Sequence, residues 1–445
     1  MCYPSIVSDH TPIDRSQGPA AAVRLAVHST RSQSPILNPA TTPFTTNKDL
    51  LVTYIYFFLN TTFFLDSPLL LTSLLSPLFY FWLRKEGYKR ILTTFLLVVA
   101  PFVIANLRHG VEYRTYAISF VMALTLYVTI YVFYIAIPKI PNLSALFDGL
   151  IKVNLFMSAM GLVLLLTPWD SLMWITNTIT VDVDETMRFR MLTYEPSYYS
   201  TLLVPLVLYA FWRFMSQPNR TTSFFLLAVA VPLAMSFSFG VIGGLMVTIT
   251  LIYAFSFRTL WRHKLAVLAV SSIFALIVML LQDTLVWIRL MNVVSGQDTS
   301  ANARTFESYF FAYQIAAEKS LWWGVGFGQV KLLDYLITSW SGGRLICTVA
   351  DTFALFGIWG LALRFGAEIY LFFKTRVYSN RFRLSLFLFM FIYQFTGSFT
   401  SNLAEYVVWI LAFSQVFPEF SSRLVHERDR LPSATSVAIL QQPIA

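Results

Sequence analysis

YAISFVMALTLYVTIYVFYIAI, Tyr116 to Ile137, carries no charged side chain from end to end. A helix needs roughly 20 consecutive apolar residues to cross the hydrocarbon core of a bilayer, and this run supplies them. Similar runs recur along the chain. Of its 445 residues, 56% are hydrophobic and 12% charged, about half the charged share of an ordinary soluble domain. The 41 phenylalanines exceed what a soluble core could bury. The sequence therefore reads as an all-α, polytopic transmembrane bundle. The alternating segments of roughly ten residues that mark an outer-membrane barrel are missing.

About twelve apolar segments can be laid out along the chain. They cover 50–65, 68–83, 91–106, 116–137, 150–167 and 201–214, then 223–239, 241–257, 265–281, 348–370, 384–399 and 406–417. The first two are short, so one tilted helix with a re-entrant piece would also fit them. Flanking this region, 1–49 reads as a disordered cytoplasmic tail without a cleavable signal, and 420–445 as a second cytoplasmic tail.

Charge orients the bundle. "RKEGYKR" (Arg84–Arg90), "WRFMSQPNR" (Trp212–Arg220), "FRTLWRHK" (Phe257–Lys264) and "KTRVYSNRFR" (Lys374–Arg383) are short and basic. They alternate so as to share one face, which the positive-inside bias makes cytoplasmic. The net charge of +9 is accounted for by these loops and calls for no nucleic acid. Both termini then lie inside, and the two longest connections, 168–200 and 282–346, lie outside. Long connections of this kind tend to be functional. Cys2 and Cys347 make neither a disulfide framework nor a metal cluster.

In the first long loop, Trp169 and Trp174 read as interfacial anchors. Asp182, Asp184 and Glu185 read as a solvated acidic patch rather than a metal site. "RFRMLTYEPSYYS" (Arg188–Ser200) admits two readings. Pro196 suits the first turn of a helix, with Glu195 and Ser197 at the positive end of its dipole. Alternatively Arg188, Arg190 and Glu195 face a polar cavity, where guanidinium groups can grip phosphate and a carboxylate can act as a base.

In the second loop, 304–317 has helical periodicity, with Phe306, Tyr309, Phe310 and Tyr313 on one stripe. Such a stripe reads as core or interface packing more readily than as a sugar platform. "GVGFG" (Gly324–Gly328) lacks the spacing and the strand–helix setting of a nucleotide fingerprint. Gly324, Gly326 and Gly328 read as a structural loop, where backbone must turn sharply or come close to a neighbour.

"ARTFESYFFAYQIAAEKSLWWGVGFGQV" (Ala303–Val330) resembles the signature region of the O-antigen polymerase and ligase superfamily. "ADTFALFGIWGLAL" (Ala350–Leu363) resembles the span that follows it there, and "RFRMLTYEPSYYS" resembles the R…EPS element of its polysaccharide polymerases. The resemblance covers 188–409, about half the chain. It implies a polymerase of polyprenyl-pyrophosphate-linked oligosaccharide repeats on the outer face of the bacterial cytoplasmic membrane. O-antigen, capsule and exopolysaccharide are all open as products. It further implies a metal-independent glycosyltransferase without cofactors, with Glu195 and Arg304 catalytic. Arg188, Arg190, Tyr198, Arg289 and Arg344 would bind substrate. Its implied partners are the lipid-linked substrate, membrane lipid and a candidate chain-length regulator.

The ligase branch carries a histidine late in its large outer loop. No histidine occurs in 282–346, and Asp351 stands in "CTVADTF" (Cys347–Phe353) where a His-Asn pair belongs. Polymerase is thereby favoured over a ligase transferring glycan to lipid A core. A flippase for lipid-linked glycans is the other alternative. It would place ionisable residues within spans, whereas here the spans hold few, among them Arg213, Arg364 and Glu368 near their proposed inner ends.

Overall fold

The computed structural model describes residues 88–421, apart from 141, 178–185, 194, 256–290, 293–294, 298, 337–344 and 399. Every apolar segment that falls within these residues coincides with a helix. The helices are α1 (Tyr88–Arg108), α2 (Tyr113–Ala136), α3 (Leu143–Leu164), α4 (Pro196–Ser216), α5 (Arg220–Met235) and α6 (Phe239–Phe255). After them come α7 (Thr299–Asn302), α8 (Ser308–Ala317), α9 (Thr348–Lys374), α10 (Arg381–Tyr393) and α11 (Leu403–Phe413). By length and composition α2, α3 and α9 can cross a membrane. The segments at 50–65, 68–83 and 265–281 lie outside the described residues.

Polar residues between the apolar runs start the helices. Glu112 accepts hydrogen bonds from the Arg114 and Thr115 amides to cap α2, and Asn142 caps α3 through the Ala145 amide. Asn219 and Thr222 form a reciprocal capping box on α5. Each cap satisfies donors that the first helical turn leaves without intrahelical partners.

One expectation is corrected. The chain is not purely helical, because β1 (Trp174–Asn177) and β2 (Thr186–Phe189) pair antiparallel, with Trp174 opposite Phe189 and Ile175 opposite Arg188. Trp174 is accordingly no interfacial anchor. It is buried, its indole N–H donates to Gly161 O at 2.7 Å, and its ring packs against Phe189. Gly161 makes room for this, since a Cβ there would lie 2.5 Å from the Phe189 ring. Trp169 does stay exposed.

A second difference concerns α9. Gly357 has φ 65° and ψ −160°, a region open essentially to glycine. The helix bends there so sharply that a Cβ on Gly360 would come within 3.5 Å of Thr352 O. The bend frees backbone groups that an unbroken helix would pair, and the GVGFG segment takes them up. Val325 and Gly326 N–H donate to Ala354 O and Leu355 O, both at 2.9 Å, while Ile358 and Trp359 N–H donate to Leu321 O and Trp322 O. Gly324 and Gly357 permit the approach, since a Cβ on either would meet the opposing backbone at 2.4 Å. The glycines thus serve close backbone contact.

Two apolar clusters result. The larger joins α2 to α6, the hairpin, α10 and α11. The smaller holds Ala312, Ile315, Val325, Cys347, Ala350 and Ala354, from α8, the glycine loop and the start of α9. Gly357→Ala should lower the thermal unfolding midpoint of the detergent-solubilised protein sharply, through about 1–3 kcal/mol of backbone strain plus the clash with Trp322. Gly366→Ala, whose Cβ would meet nothing within 4 Å, should leave the midpoint unchanged or raise it by the roughly 0.5–1 kcal/mol of helix preference.

Candidate functional site

Glu195 stands at the N-cap of α4, and Pro196 fills the first helical position. Its backbone carbonyl accepts from the Tyr198 and Tyr199 amides, so the start of the helix is set by main chain and proline. The carboxylate makes no capping bond. It accepts instead from Ser197 Oγ at 2.6 Å and faces Arg304, whose Nη2 lies 3.6 Å from Glu195 Oε1. The helix start is thus set by main chain and proline, and the Glu195 carboxylate is left to Ser197 and Arg304, while Arg188 and Arg190, expected to share a cavity with it, are held elsewhere.

Arg304 comes from the second long connection. It sits in a π-helical turn, Ala303–Glu307, that joins α7 to α8. Such turns recur at functional sites because the wider coil re-aims a side chain. Both side chains of the pair are partly exposed. Among the described residues Arg304 Nε carries no hydrogen bond, and the contact to Glu195 is long and single rather than a bidentate fork. The guanidinium keeps donor capacity for an anion. Tyr393, buried at the end of α10, feels the field of both Arg304 and Glu195. Nothing in its apolar surroundings in the sequence marks it for that place.

The other candidates are held differently. Arg188 is buried, with Nε donating to Ser236 O at 3.1 Å and Nη2 reaching Phe237 O and Ser238 Oγ. It clamps β2 to the turn between α5 and α6. Arg190 is half-buried and donates through Nη2 to Ser171 O at 2.8 Å; burial lowers its pKa. Tyr198 is buried against the start of α11, near the Leu403 and Ala404 amides. Arg289 and Arg344, like Asp182, Asp184 and Glu185, lie outside the described residues.

A second charged group joins α9, α10 and α11. Arg364 pairs with Glu405 and, through Nε at 3.1 Å, with Glu368; Gln394 Nε2 donates to Glu368 at 3.0 Å. Thr348 and Ser398 hydroxyls donate to Glu405 Oε2, each at 2.8 Å. Arg364 and Glu368, expected near the inner end of their span, are instead tied to Glu405 at the start of α11 and to Gln394 at the end of α10. Arg213 pairs with Asp148. Glu405 was legible only as an acid beside an apolar run.

No protein-family model matches the chain, and no curated protein matches it.

The two arginines differ in what their removal should do to the fold. Arg188→Ala leaves buried carbonyls without a donor, at about 1–3 kcal/mol, and should lower the unfolding midpoint. Arg304→Ala removes one partly exposed ion pair worth about 0–1 kcal/mol and should leave the midpoint close to wild type.

Proposed function

We propose that this protein polymerises polyprenyl-pyrophosphate-linked oligosaccharide repeat units on the outer face of a bacterial cytoplasmic membrane. One observation carries the reading. The acid of the EPS element and the arginine that opens the ARTFESYFFAY element, far apart in the chain, meet at 3.6 Å. In the resemblance drawn from sequence these are the polymerase elements, and their meeting puts a base beside an anion receptor.

In this reaction a hydroxyl at the non-reducing end of one lipid-linked repeat attacks the anomeric carbon of the growing glycan. The bond from that carbon to the pyrophosphate oxygen breaks as the new glycosidic bond forms. Glu195 takes the hydroxyl proton. Arg304 stabilises the negative charge that collects on the leaving pyrophosphate, where a preorganised cation is most effective.

The contacts between connections fit the sidedness proposed for the described segments. Lys319 Nζ donates to Gly110 O, Gln329 Oε1 accepts from Glu112 N, and Arg304 meets Glu195. The two long connections are assigned to the outside by the basic loops opposite them, and 107–115 follows from the alternation of spans. Ser144 with Glu419, Asn380 with Phe417 O, and Arg213 with Asp148 join segments assigned to the inside, as they must if both termini are cytoplasmic.

A flippase is the second reading, favoured by the buried Arg364, Glu368 and Glu405. Such groups within helices often mark transport paths. Here they are paired with one another and with Thr348, Ser398 and Gln394, as a fastening between helices would be.

Arg304→Ala and Glu195→Ala should each leave membrane-inserted protein at wild-type abundance and reduce long-chain glycan by about 10²-fold or more. Arg304→Lys should also be impaired, because an ammonium cannot reproduce a guanidinium fork. Normal chain-length ladders from both alanine variants would overturn the assignment. Movement of intact repeats without their extension would favour the flippase, and a topology reporter placing residue 310 in the cytoplasm would remove the whole scheme.

A further inference from the structure

The helix that carries Arg304 has a second face. Phe306, Phe310 and Tyr313 follow the i, i+4, i+7 spacing of one helical side, and they are 77%, 49% and 55% exposed. Ser308, Ala312, Ile315 and Ala316 form the opposite, buried side. Of the core or interface packing read from its composition, this exposure leaves the interface. Phe306 and Phe310 stack nearly parallel, 9° apart at 6.4 Å, and add to one apolar surface.

That surface does not end with the helix. Trp322, exposed in the turn after α8, lies 6.0 Å from Trp359, which is itself exposed on α9. Beyond Trp359 the exposed side of α9 continues through Leu363, Tyr370 and Phe373. On the other flank the Tyr309 hydroxyl donates to Phe395 O, and the Phe395 ring is exposed as well. The aromatic stripe thus merges with the flank of a helix apolar enough to cross a membrane.

We propose that α8 and its π turn form a membrane-surface helix. The Phe306–Phe310–Tyr313 face is occupied by the headgroup–acyl boundary of the bilayer, while Arg304 points the other way into the protein. The continuity with α9 selects lipid as the occupant, since a flank facing hydrocarbon cannot pass into a water-facing stripe without a boundary between them. One helix then fixes the level of Arg304 relative to the lipid surface. The inference rests on the membrane reading of the chain and not on the polymerase chemistry.

The test is depth measurement on the full-length protein in liposomes of phosphatidylethanolamine and phosphatidylglycerol. Cys2 and Cys347 are replaced by serine, and a nitroxide is attached to a single cysteine placed by Phe306→Cys, Phe310→Cys, Tyr313→Cys or, as control, Glu318→Cys. Power saturation then compares collisions with oxygen and with a water-soluble nickel chelate. At 306, 310 and 313 oxygen access should exceed nickel access several-fold, and at 318 the order should reverse. Nickel access at the stripe equal to that at 318 would show that it faces water. Exclusion of both relaxants would show that protein covers it, a second copy included. Either result overturns the proposal. Should Cys347→Ser disturb folding, the same labels on protein retaining the buried Cys347, corrected by a sample without added cysteine, give the same reading. Glycan synthesis does not enter the measurement, so its outcome is separable from that of the Arg304 and Glu195 variants.

Discussion

A backbone that breaks inside a helix must find partners for the amides and carbonyls it releases, and much of this structure follows from how α9 meets that demand at Gly357. Leaving such groups buried and unpaired costs about 1–3 kcal/mol each, so the break persists only because another segment supplies the missing bonds. The SLWWGVGFG stretch does so by laying its own backbone against residues 354–359. Glycine is needed on both sides of that contact, because each Cβ would collide with main chain. Side-chain identity elsewhere in the loop matters less than the absence of side chains at these points.

This contact also places Arg304. The helix that bears it packs its Ala312, Ile315 and Ala316 side into the small cluster built from the glycine loop and the first part of α9. Glu195 stands at the head of α4, whose Tyr199, Leu203 and Val204 belong to the larger cluster. The pair forms at the seam between the two, so its geometry depends on the docking of one cluster against the other. Tyr309 and Cys347, which reach the main chain at Gln394 and Phe395, help to hold that seam. Burial raises the pKa of both groups, which keeps them as neutral hydrogen-bond partners.

The arginines divide by what surrounds them. Arg188 and Arg364 are ringed by acceptors that hold them in place, carbonyls for the first and carboxylates for the second. Each ties separate elements together, and a ligand reaching either would have to displace those bonds. Arg304 has a single long contact with an acid that is itself partly exposed. In the proposed reading that difference separates arginines that build the bundle from one that meets an anion.

Much of this was legible in the residues. Apolar runs marked the helices because burial of a span leaves no place for charge, whereas the Asn and Glu caps at their edges were seen only in the structure. EPS was readable as a helix start because proline at the first turn needs no tertiary partner. The hairpin was not legible, since Thr186–Phe189 is short and its pairing is set by the Gly161 side of α3. Nor was the bend in α9, because a Gly-x-x-Gly step in an apolar run is equally compatible with a straight helix; only the loop that pairs the freed backbone makes the bend stable. The sequence by itself determined that the chain is helical and apolar, and which acids and guanidinium groups stand near its run edges. Tertiary structure decided that Arg188 is an internal clamp while Arg304 meets Glu195. A side chain's type is local, but what it faces depends on segments far away in the chain.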